Sequence, residues 1–276
     1  MNVTLSMEQF HRLRDYIYQK TGIYFPDSKL YFVERRLIQR MEALGLSDIN
    51  YYYSMLRFEN NGTELQAFIE VLTVNETYFF REFSQLKCFA EEVLPELVRR
   101  EKGNLVFWSA GCSTGEEAYT LAIILHEMLG PENLARCRII ATDIDNKVLA
   151  FARKGCYAER STRHIPTPYV RKYFEQSGTE LKVNQQLRSL VEFQQLNLME
   201  STMMRQLQEV DVIFCRNVLI YFDDQSRRQV ALDFYQSIKP GGYVFLGHSE
   251  SMSRITSIFQ LRKFQHSIIY QKPVAR

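Results

Sequence analysis

Hydrophobic residues recur at helical intervals through the first part of the chain, residues 1–74. The segment "MEQFHRLRDYIYQKTG" has apolar positions three or four residues apart and ends at Gly22. The segment "DSKLYFVERRLIQRMEALG" repeats this pattern, with Asp27 or Ser28 suited to cap a helix and Gly45 suited to end it. Two further helical segments follow, near 48–58 and 62–73. The pattern predicts a small all-α bundle.

The pattern changes from residue 104 onward, where apolar runs alternate with helix-like segments. In chain order the runs are "LVFWSA", "RIIATD", "SLVEF", "DVIFC", "YVFLG" and "SIIYQ". This alternation predicts a mainly parallel sheet with helices on both faces. Residues 157–190 fit it poorly because they are polar and contain prolines, so we expect a small inserted β lobe there. We therefore predict an all-α N-terminal domain at 1–74, a linker and connecting helix at 75–103, and an α/β domain at 104–276.

The composition excludes several classes of protein. Hydrophobic content of 46% with 24% charged residues is ordinary for a globular protein, and no run approaches the roughly 20 apolar residues of a membrane span. The polar N-terminus lacks the features of a secretion signal, so we expect a cytoplasmic protein without membrane insertion. A formal net charge of +2 is too small to indicate nucleic-acid binding.

The cysteines indicate neither a disulfide framework nor a metal site. There are five, an odd number, without Cys-x-x-Cys or Cys/His ligand spacing. We interpret most of them as buried thiols and expect no metal. They are Cys88, Cys112, Cys137, Cys156 and Cys215.

The turn "GCSTG" at 111–115 lies between a predicted strand and a predicted helix, and it allows two interpretations. Gly-x-Ser-x-Gly in that place is the form of a hydrolase nucleophile elbow, with Ser113 as nucleophile and Asp211 and His248 as its partners. We disfavour the hydrolase because no oxyanion loop precedes the strand and because this strand is the first of its sheet. The other interpretation is a cradle that holds a nucleotide-like cofactor against a helix N-terminus.

The cofactor interpretation explains more residues. Gly111 and Gly115 allow the backbone to approach a ligand closely, and Asp143 of "TDID" at the end of the next strand is placed to bind ribose hydroxyls. There is no G-x-G-x-x-G and no Lys-Ser/Thr after the turn, which favours a cofactor without phosphates. A purely structural interpretation stays open: Thr114 to Glu117 matches a capping box, and Asp145 is suited to cap the following helix.

Six motifs carry a family resemblance. "SIKPGGYVFLG" resembles the fifth strand of class I S-adenosylmethionine methyltransferases. "TVNETYFFRE", "FWSAGCSTGEEAYTLA", "ATDID", "CRNVLIYFD" and "FLGHSES" together resemble the chemotaxis receptor methyltransferases, the CheR family, in the family's order and across nearly the whole chain. The resemblance implies a Rossmann-like class I methyltransferase domain with a small β insertion, preceded by an all-α domain. The first glycine motif departs from the common G-x-G-x-G, because Cys112 and Ser113 separate its glycines.

The resemblance also implies an activity, a cofactor and a partner. Family members transfer a methyl group from S-adenosyl-L-methionine to glutamate side chains of chemoreceptors, which gives methyl esters and S-adenosyl-L-homocysteine. We expect this protein to act on the cytoplasmic domain of such a receptor during sensory adaptation, and to be a monomer. Two alternatives stay open: a carboxyl methyltransferase that acts on another signalling protein, and a cofactor-sensing module without turnover.

Matching motif positions imply the site residues. Asn75, Thr77 and Arg81 are expected to contact the cofactor, Glu117 to face its amino group, and Asp143 to hold its ribose. The adenine is expected to lie against Asn197 and Leu198, with Asn217 and Val218 nearby, and Arg81 and Tyr221 are expected closest to the reacting carboxylate. We interpret the neighbouring apolar side chains as core, namely Phe79, Phe80, Ile220 and Phe222.

The second helix presents the candidate receptor surface. Lys29, Arg36 and Arg40 are spaced by seven and four residues, which places them near one edge of a helix. This edge suits an acidic receptor helix, although a merely solvated basic face is the alternative. A neighbouring apolar stripe is predicted to pack inward, comprising Leu30, Leu37, Met41 and Leu44. Some family members grip a peptide at the receptor C-terminus with the inserted lobe; the loop "EQSGTELKV" looks shorter here, so we hypothesise independence from that tether.

Overall fold

The computed structural model describes residues 4–59 and 62–274. The chain divides into two compact units, Met1–Val74 with Tyr221–Ser226, and Asn75–Ile220 with Arg227–Arg276. The first unit thus takes a short segment from late in the chain, which the sequence pattern does not indicate. The predicted linker at 75–103 belongs to the second unit.

The first unit is helical, as predicted. Its helices are α1 (Met7–Thr21), α2 (Leu30–Ala43), α3 (Ile49–Phe58) and α4 (Thr63–Leu72), with a 3₁₀ turn at Asp27–Lys29. Apolar side chains from all four helices form one core, including Phe10, Leu13, Ile17, Val33, Leu37, Met41, Tyr52, Leu56, Phe68 and Leu72. Phe222 is buried in the chain segment assigned to this unit, and its backbone bridges Ile23.

Helix ends in the first unit follow ordinary capping chemistry, with one difference from prediction. Gly22 ends α1 in the left-handed conformation at φ 72°, as its position indicates. Neither Asp27 nor Ser28 caps α2, which begins after the 3₁₀ turn without a side-chain cap. The Asp27 carboxylate instead accepts hydrogen bonds from His11 at 3.0 Å and Arg14 at 3.1 Å.

The second unit alternates strands with helices, as the apolar runs predict. Its strands are β1 (Leu105–Ala110), β2 (Cys137–Asp143), β3 (Cys156–Tyr157), β4 (Phe174–Ser177), β5 (Glu180–Val183), β6 (Val191–Gln195), β7 (Val210–Cys215), β8 (Ile238–Leu246), β9 (Gln260–Lys263) and β10 (Ile268–Gln271). Its helices are α5 (Phe83–Cys88), α6 (Leu94–Arg100), α7 (Glu116–Met128), α8 (Pro131–Leu134), α9 (Asn146–Lys154), α10 (Glu159–Thr162), α11 (Thr167–Tyr173), α12 (Gln185–Arg188), α13 (Ser201–Met204), α14 (Asp224–Ser237) and α15 (Met252–Ile255). A π-helical turn (Phe89–Val93) and a 3₁₀ turn (Leu219–Tyr221) complete the described elements, and the first turn of α14 falls in the first unit.

Among the described residues, seven strands form the main sheet in the order β6-β2-β1-β7-β8-β10-β9. The pairs from β6 to β8 are parallel, and β10 is antiparallel to both neighbours. All six predicted strands are present. The sequence missed β9, since "QLRK" is largely polar and lies at the sheet edge. The three short strands β3, β5 and β4 form a separate antiparallel sheet in the region of the predicted insertion.

Buried aromatic side chains pack at the centre of the main sheet. Phe214 of β7 and Phe245 of β8 stack with ring centroids 4.6 Å apart, and Phe89 meets both edge-on. Phe79 and Phe80 are buried, as expected for core residues, whereas Ile220 is 44% exposed and so differs from that expectation. No helix of the described chain is long and apolar enough to cross a membrane.

Candidate active site

The turn from Gly111 to Gly115 joins β1 to α7 and lies against the end of β2. The backbone amides of Gly111 and Cys112 both donate to the Thr142 carbonyl, at 2.8 and 2.9 Å. Gly111 and Gly115 have φ values of 82° and 93°, which favour glycine. A Cβ at Gly111 would overlap the Val218 side chain, and one at Gly115 would lie 2.8 Å from the Ala152 Cβ. Both glycines therefore permit a close backbone approach.

Asp143 lies at the carboxyl end of β2 and holds this turn in place. Its Oδ2 accepts a hydrogen bond from the Ser113 amide at 2.8 Å, and its Oδ1 accepts one from the Asp145 amide at 3.0 Å. Burial raises the pKa of Asp143 to about 6, against the opposing effect of these amides. Each carboxylate oxygen accepts up to two hydrogen bonds, so Asp143 retains acceptor capacity for a ligand hydroxyl.

The contacts of Ser113 exclude the hydrolase interpretation. Its Oγ lies 3.5 Å from the Asn75 carbonyl, a weak contact outside any triad. Asp211 lies at the opposite end of the parallel strands, where it accepts hydrogen bonds from the Val106 amide at 2.8 Å and from Lys239 at 3.0 Å. His248 pairs with Glu82 at 3.1 Å. Serine, acid and histidine therefore have separate partners.

Glu117 faces the sheet and does not close its own helix. The N-cap of α7 is Gly115, without a side-chain hydrogen bond, and Thr114 bonds Glu116 at 2.6 Å. Glu117 accepts hydrogen bonds from Ser109 Oγ at 2.7 Å and from Arg216 Nη1 at 3.3 Å. The capping-box alternative for Glu117 is therefore wrong.

Asp145, in contrast, does cap its helix. Its Oδ1 accepts hydrogen bonds from the amides of Lys147 at 2.8 Å and Val148 at 3.1 Å, at the start of α9. Its Oδ2 accepts one from Asn75 Nδ2 at 3.1 Å. This capping residue thereby connects Asn75, a predicted cofactor contact, to the end of β2.

Arg216, which was not among the residues predicted from the sequence, organises the charges of the site. Its side chain is only 3% exposed and pairs with Glu117 and Glu82, each at 3.3 Å. It also donates to the backbone carbonyl of Arg81. Burial raises the pKa of Glu117, and the Arg216 and Arg81 charges oppose this shift. An arginine directly after a buried strand was the available sequence signal.

Arg81 lies beside this charge cluster. Its Nη1 donates to the Glu76 carbonyl at 2.7 Å, and its guanidinium lies 5.9 Å from the centre of the Tyr78 ring. Among the described residues, no carboxylate forms an ion pair with it. Thr77, from the same segment, is half-buried.

The predicted adenine neighbours lie at the ends of β6 and β7. The Leu196 amide bonds the Asp143 carbonyl at 2.9 Å, which brings the following Asn197 and buried Leu198 to the end of β2. Asn217 adopts a φ of 60°, and its buried Oδ1 has no hydrogen-bond partner in the described chain. Val218 packs directly over Gly111.

These residues fit a ligand that carries hydroxyl and amino donors. The Asp143 carboxylate, the unpartnered Asn217 oxygen and Glu117 supply acceptors, and Gly111 provides a narrow backbone cradle. Four of the five non-glycine residues with positive φ in the described chain lie in the motifs that build the site, namely Phe80, Glu82, Ser113 and Asn217. Such strain concentrates at functional sites. No group of metal ligands occurs among the described residues.

Two protein-family models match the chain, one on each side of residue 74. Residues 8–73 match the CheR methyltransferase all-alpha domain, and residues 75–268 match the CheR methyltransferase SAM-binding domain. The chain belongs to the CheR methyltransferase family. As a CheR methyltransferase it uses S-adenosylmethionine as its cofactor and acts in chemotaxis.

Relatives match the chain over nearly its whole length. The chain is 46% identical to chemotaxis protein methyltransferase 2 of Vibrio cholerae, over 98% of this chain and 95% of the relative. It is 40% identical to the chemotaxis protein methyltransferase of Salmonella typhimurium, over 94% of this chain and 89% of the relative. The corresponding Escherichia coli protein is 37% identical over 94% and 90%.

The first unit of this CheR methyltransferase carries Tyr221 and the three predicted basic residues, of which Arg36 and Arg40 lie in α2 and Lys29 lies in the 3₁₀ turn before it. The Tyr221 hydroxyl donates to the Val74 carbonyl at 3.3 Å, within that unit. Lys29 is exposed, and Arg36 is half-buried with its guanidinium 5.4 Å from the Phe32 ring centre.

Arg40 differs from its expected role as a charge presented to a partner. Its Nε and Nη2 bind the two carboxylate oxygens of Glu64, at 3.0 and 2.6 Å. Glu64 is 6% exposed and also accepts a hydrogen bond from the Tyr52 hydroxyl at 2.7 Å. The charge of Arg40 is thus neutralised inside the helical unit. The predicted apolar stripe is also modified, because Leu44 is 42% exposed and Val33 is buried instead.

Proposed function

We propose that this CheR methyltransferase transfers the methyl group of S-adenosyl-L-methionine to glutamate side chains of chemoreceptors, forming methyl esters. The observation that carries the proposal is Arg81, a guanidinium that is not paired with a carboxylate in the described chain, next to the half-buried Glu117. Its planar fork is suited to hold an incoming carboxylate beside the cofactor residues.

The reaction requires the protein mainly to align the acceptor carboxylate with the methyl donor. A glutamate acceptor is already ionised near neutral pH, so methyl transfer from a sulfonium needs no general base. Catalysis then comes from orienting the carboxylate and from excluding water around the nucleophile. In this proposal Arg81 orients the carboxylate, and Tyr221 donates one hydrogen bond without adding charge. When bound, S-adenosylmethionine supplies the electrophilic methyl group.

Receptor recognition in the proposal uses a basic edge formed by Lys29, at the end of the 3₁₀ turn before α2, and by Arg36 of α2. Lys29 and Arg36 form no ion pair with a carboxylate among the described residues, whereas Arg40 is bound to Glu64. We therefore assign the attraction for an acidic receptor helix to Lys29 and Arg36, and assign Arg40 to the support of the helix that carries them. Each methyl ester would remove one negative charge from the receptor and shift its signalling equilibrium.

The test is methyl transfer to a purified receptor cytoplasmic fragment, using S-adenosylmethionine with a labelled methyl group. We expect base-labile methyl esters that peptide mass spectrometry locates on glutamates. The Asp143→Ala variant, which lacks the proposed ribose contact, is expected to label weakly at the same protein concentration. A panel of other acidic proteins serves as competing substrate, and faster labelling of one of them would favour the alternative of a different signalling substrate.

The cellular setting is also part of the proposal. We assign the protein to the cytoplasm, acting as a monomer, where receptor cytoplasmic domains are accessible. In the insertion, β4 and β5 form an antiparallel hairpin. Ser177 pairs with Glu180, and the tight turn between them contains Gly178, whose φ is 61°. This short hairpin supports the hypothesis that no receptor C-terminal peptide is needed. Micromolar binding of such a pentapeptide would contradict that hypothesis.

A further inference from the structure

The turn after β7 contains one residue in the left-handed conformation. Asn217 has a φ of 60°, a region that asparagine adopts more readily than other non-glycine residues. This region is a minor one even for asparagine, so contacts with the surroundings contribute to holding the turn. The turn carries Asn217 and Val218, the predicted neighbours of the adenine, so whatever fixes it also shapes the cofactor site.

Glu250, from the segment after β8, supplies the fixing contact. Its Oε2 accepts hydrogen bonds from the Asn217 amide at 2.8 Å and from the Gly247 amide at 2.7 Å. One carboxylate oxygen therefore joins the turn after β7 to the segment that follows β8. Gly247 makes this approach possible, since a Cβ there would lie 2.8 Å from the Asn217 amide nitrogen and from Glu250 Oε2.

No cation accounts for the burial of this carboxylate. In the described chain, no Lys, Arg or His forms an ion pair with Glu250, and its Oε1 is buried without a hydrogen-bond partner. Burial raises the pKa of Glu250, and the opposing influences are backbone amides of Asn217, Gly247, Leu219 and Ile220. Its partners are therefore the turn itself and the adjacent Gly247, not a second charged side chain.

We propose that Glu250 is a positioning residue for S-adenosylmethionine binding, which acts by holding Asn217 and Val218 in the conformation that borders the cofactor. This inference rests on the cofactor contacts assigned to those two residues under the proposed function. It adds a residue of the "GHSES" motif to the site without assigning it any contact with the cofactor. Glu250 acts through the hydrogen bond that its Oε2 accepts from the Asn217 amide.

The experiment compares S-adenosylhomocysteine binding by calorimetry in Glu250→Ala and Glu250→Gln. The alanine variant removes the acceptor and is expected to weaken binding at least tenfold. Glutamine keeps an acceptor oxygen of the same reach and is expected to bind within threefold of the parent. In steady-state assays with the receptor fragment, the alanine variant is expected to raise KM for S-adenosylmethionine more than KM for the receptor.

Asp211→Ala is the matched control. Asp211 is also a buried carboxylate that accepts a backbone amide, but it lies at the opposite end of β7. This variant is expected to lower the melting temperature while leaving the dissociation constant within twofold, measured well below that temperature. The proposal would be overturned if Glu250→Ala bound S-adenosylhomocysteine within twofold of the parent. It would also be overturned if Glu250→Ala, Glu250→Gln and Asp211→Ala all weakened binding equally.

A substitute variant and an assay of the parent protein cover the cases in which the first comparison could not be interpreted. If Glu250→Ala does not fold, Gly247→Ala is used, since its methyl group would displace Glu250 from the Asn217 amide; unchanged binding there would overturn the proposal. The parent is assayed first for both binding and transfer. A parent that binds the cofactor but does not methylate receptors would contradict the proposed function and leave the role of Glu250 to be decided by the binding series.

Discussion

At the scale of single residues, the charges of the site are held mainly by backbone amides and by one buried guanidinium. Asp143 is fixed by the amides of Ser113 and Asp145, and Glu117 by Ser109 and Arg216. The sequence predicts Asp143 and Gly111 because a glycine turn and an acid after the next strand form a local pattern. It gives no local pattern for the Arg216 pairs, because Glu82, Glu117 and Arg216 are far apart in the chain.

The first prediction concerns the pH dependence of cofactor binding. The pKa of Asp143 is about 6 in the folded protein, so this group takes up a proton as the pH falls through that value. The ribose contact assigned to it is made to the ionised form, so we expect S-adenosylhomocysteine to bind roughly fourfold more weakly at about pH 5.5 than at about pH 7.5. Calorimetric titration across this range measures the effect.

The stability of the free protein should respond in the opposite direction. Because the folded pKa of Asp143 lies above its ordinary value of 3.8, its contribution to stability is fully present below that value and is lost as the pH rises towards about 6. The Asp143→Asn variant removes this titration and is the control for both measurements. Cofactor binding that weakens equally in Asp143→Asn over this pH range would assign the titration to another group.

The second prediction concerns the two residues assigned to the acceptor carboxylate. Arg81→Ala and Tyr221→Phe are each expected to lower kcat at least tenfold, a larger loss than the accompanying loss of affinity for S-adenosylhomocysteine. The reason is that both groups are assigned to orient the acceptor during transfer. Single-turnover transfer and calorimetry on the same preparations give the two values. Equal losses in rate and cofactor affinity would contradict the assigned roles.

At the scale of elements, α2 carries both apolar residues that pack in the core and basic residues that the sequence predicted to lie on the surface. Helical spacing correctly places Leu37 and Met41 in the core. The same spacing places Arg40 with Lys29 and Arg36, but only the position of α4 determines that Glu64 neutralises it. Periodicity specifies the face of a helix that packs, whereas the partner on the neighbouring helix depends on tertiary structure.

The third prediction separates stability from recognition on α2. Arg40→Met leaves the buried Glu64 without its cation and is expected to destabilise the protein by about 3 kcal/mol. Lys29→Ala removes an exposed charge and is expected to change stability by less than about 0.5 kcal/mol while raising KM for the receptor. Denaturant unfolding measures the first effect and methylation kinetics the second. A free energy of unfolding unchanged in Arg40→Met would argue against the buried pair.

At the scale of the whole molecule, the chain is not divided at a single point. The segment Tyr221–Ser226 joins the N-terminal helical unit, although it lies between β7 and most of α14 in the second unit. The Tyr18 hydroxyl donates to Asp223 at 3.0 Å, and the Tyr24 amide donates to the Tyr221 carbonyl at 2.9 Å. Tyr221 therefore belongs structurally to the helical unit, which no linear division of the sequence indicates.

The fourth prediction concerns the thiols of the whole chain. All five cysteines are free and buried, and burial raises the pKa of Cys88 and Cys137 to about 12. Because the thiolate is the reactive form, we expect slow reaction with a disulfide reagent in the native protein and reaction of five thiols after denaturation. Colorimetric titration with and without guanidinium provides the measurement. A thiol that reacts rapidly in the native protein would contradict this burial.

The sequence by itself determined the all-α and α/β regions, six of the seven strands of the main sheet and the cofactor turn, because periodicity and turn chemistry are local. Tertiary structure alone decided that Arg216 joins Glu82 to Glu117, that Glu250 holds Asn217, and that Glu64 neutralises Arg40. These contacts join residues far apart in the chain. They depend on which strands and helices become neighbours when the core forms, and a local pattern does not contain that information.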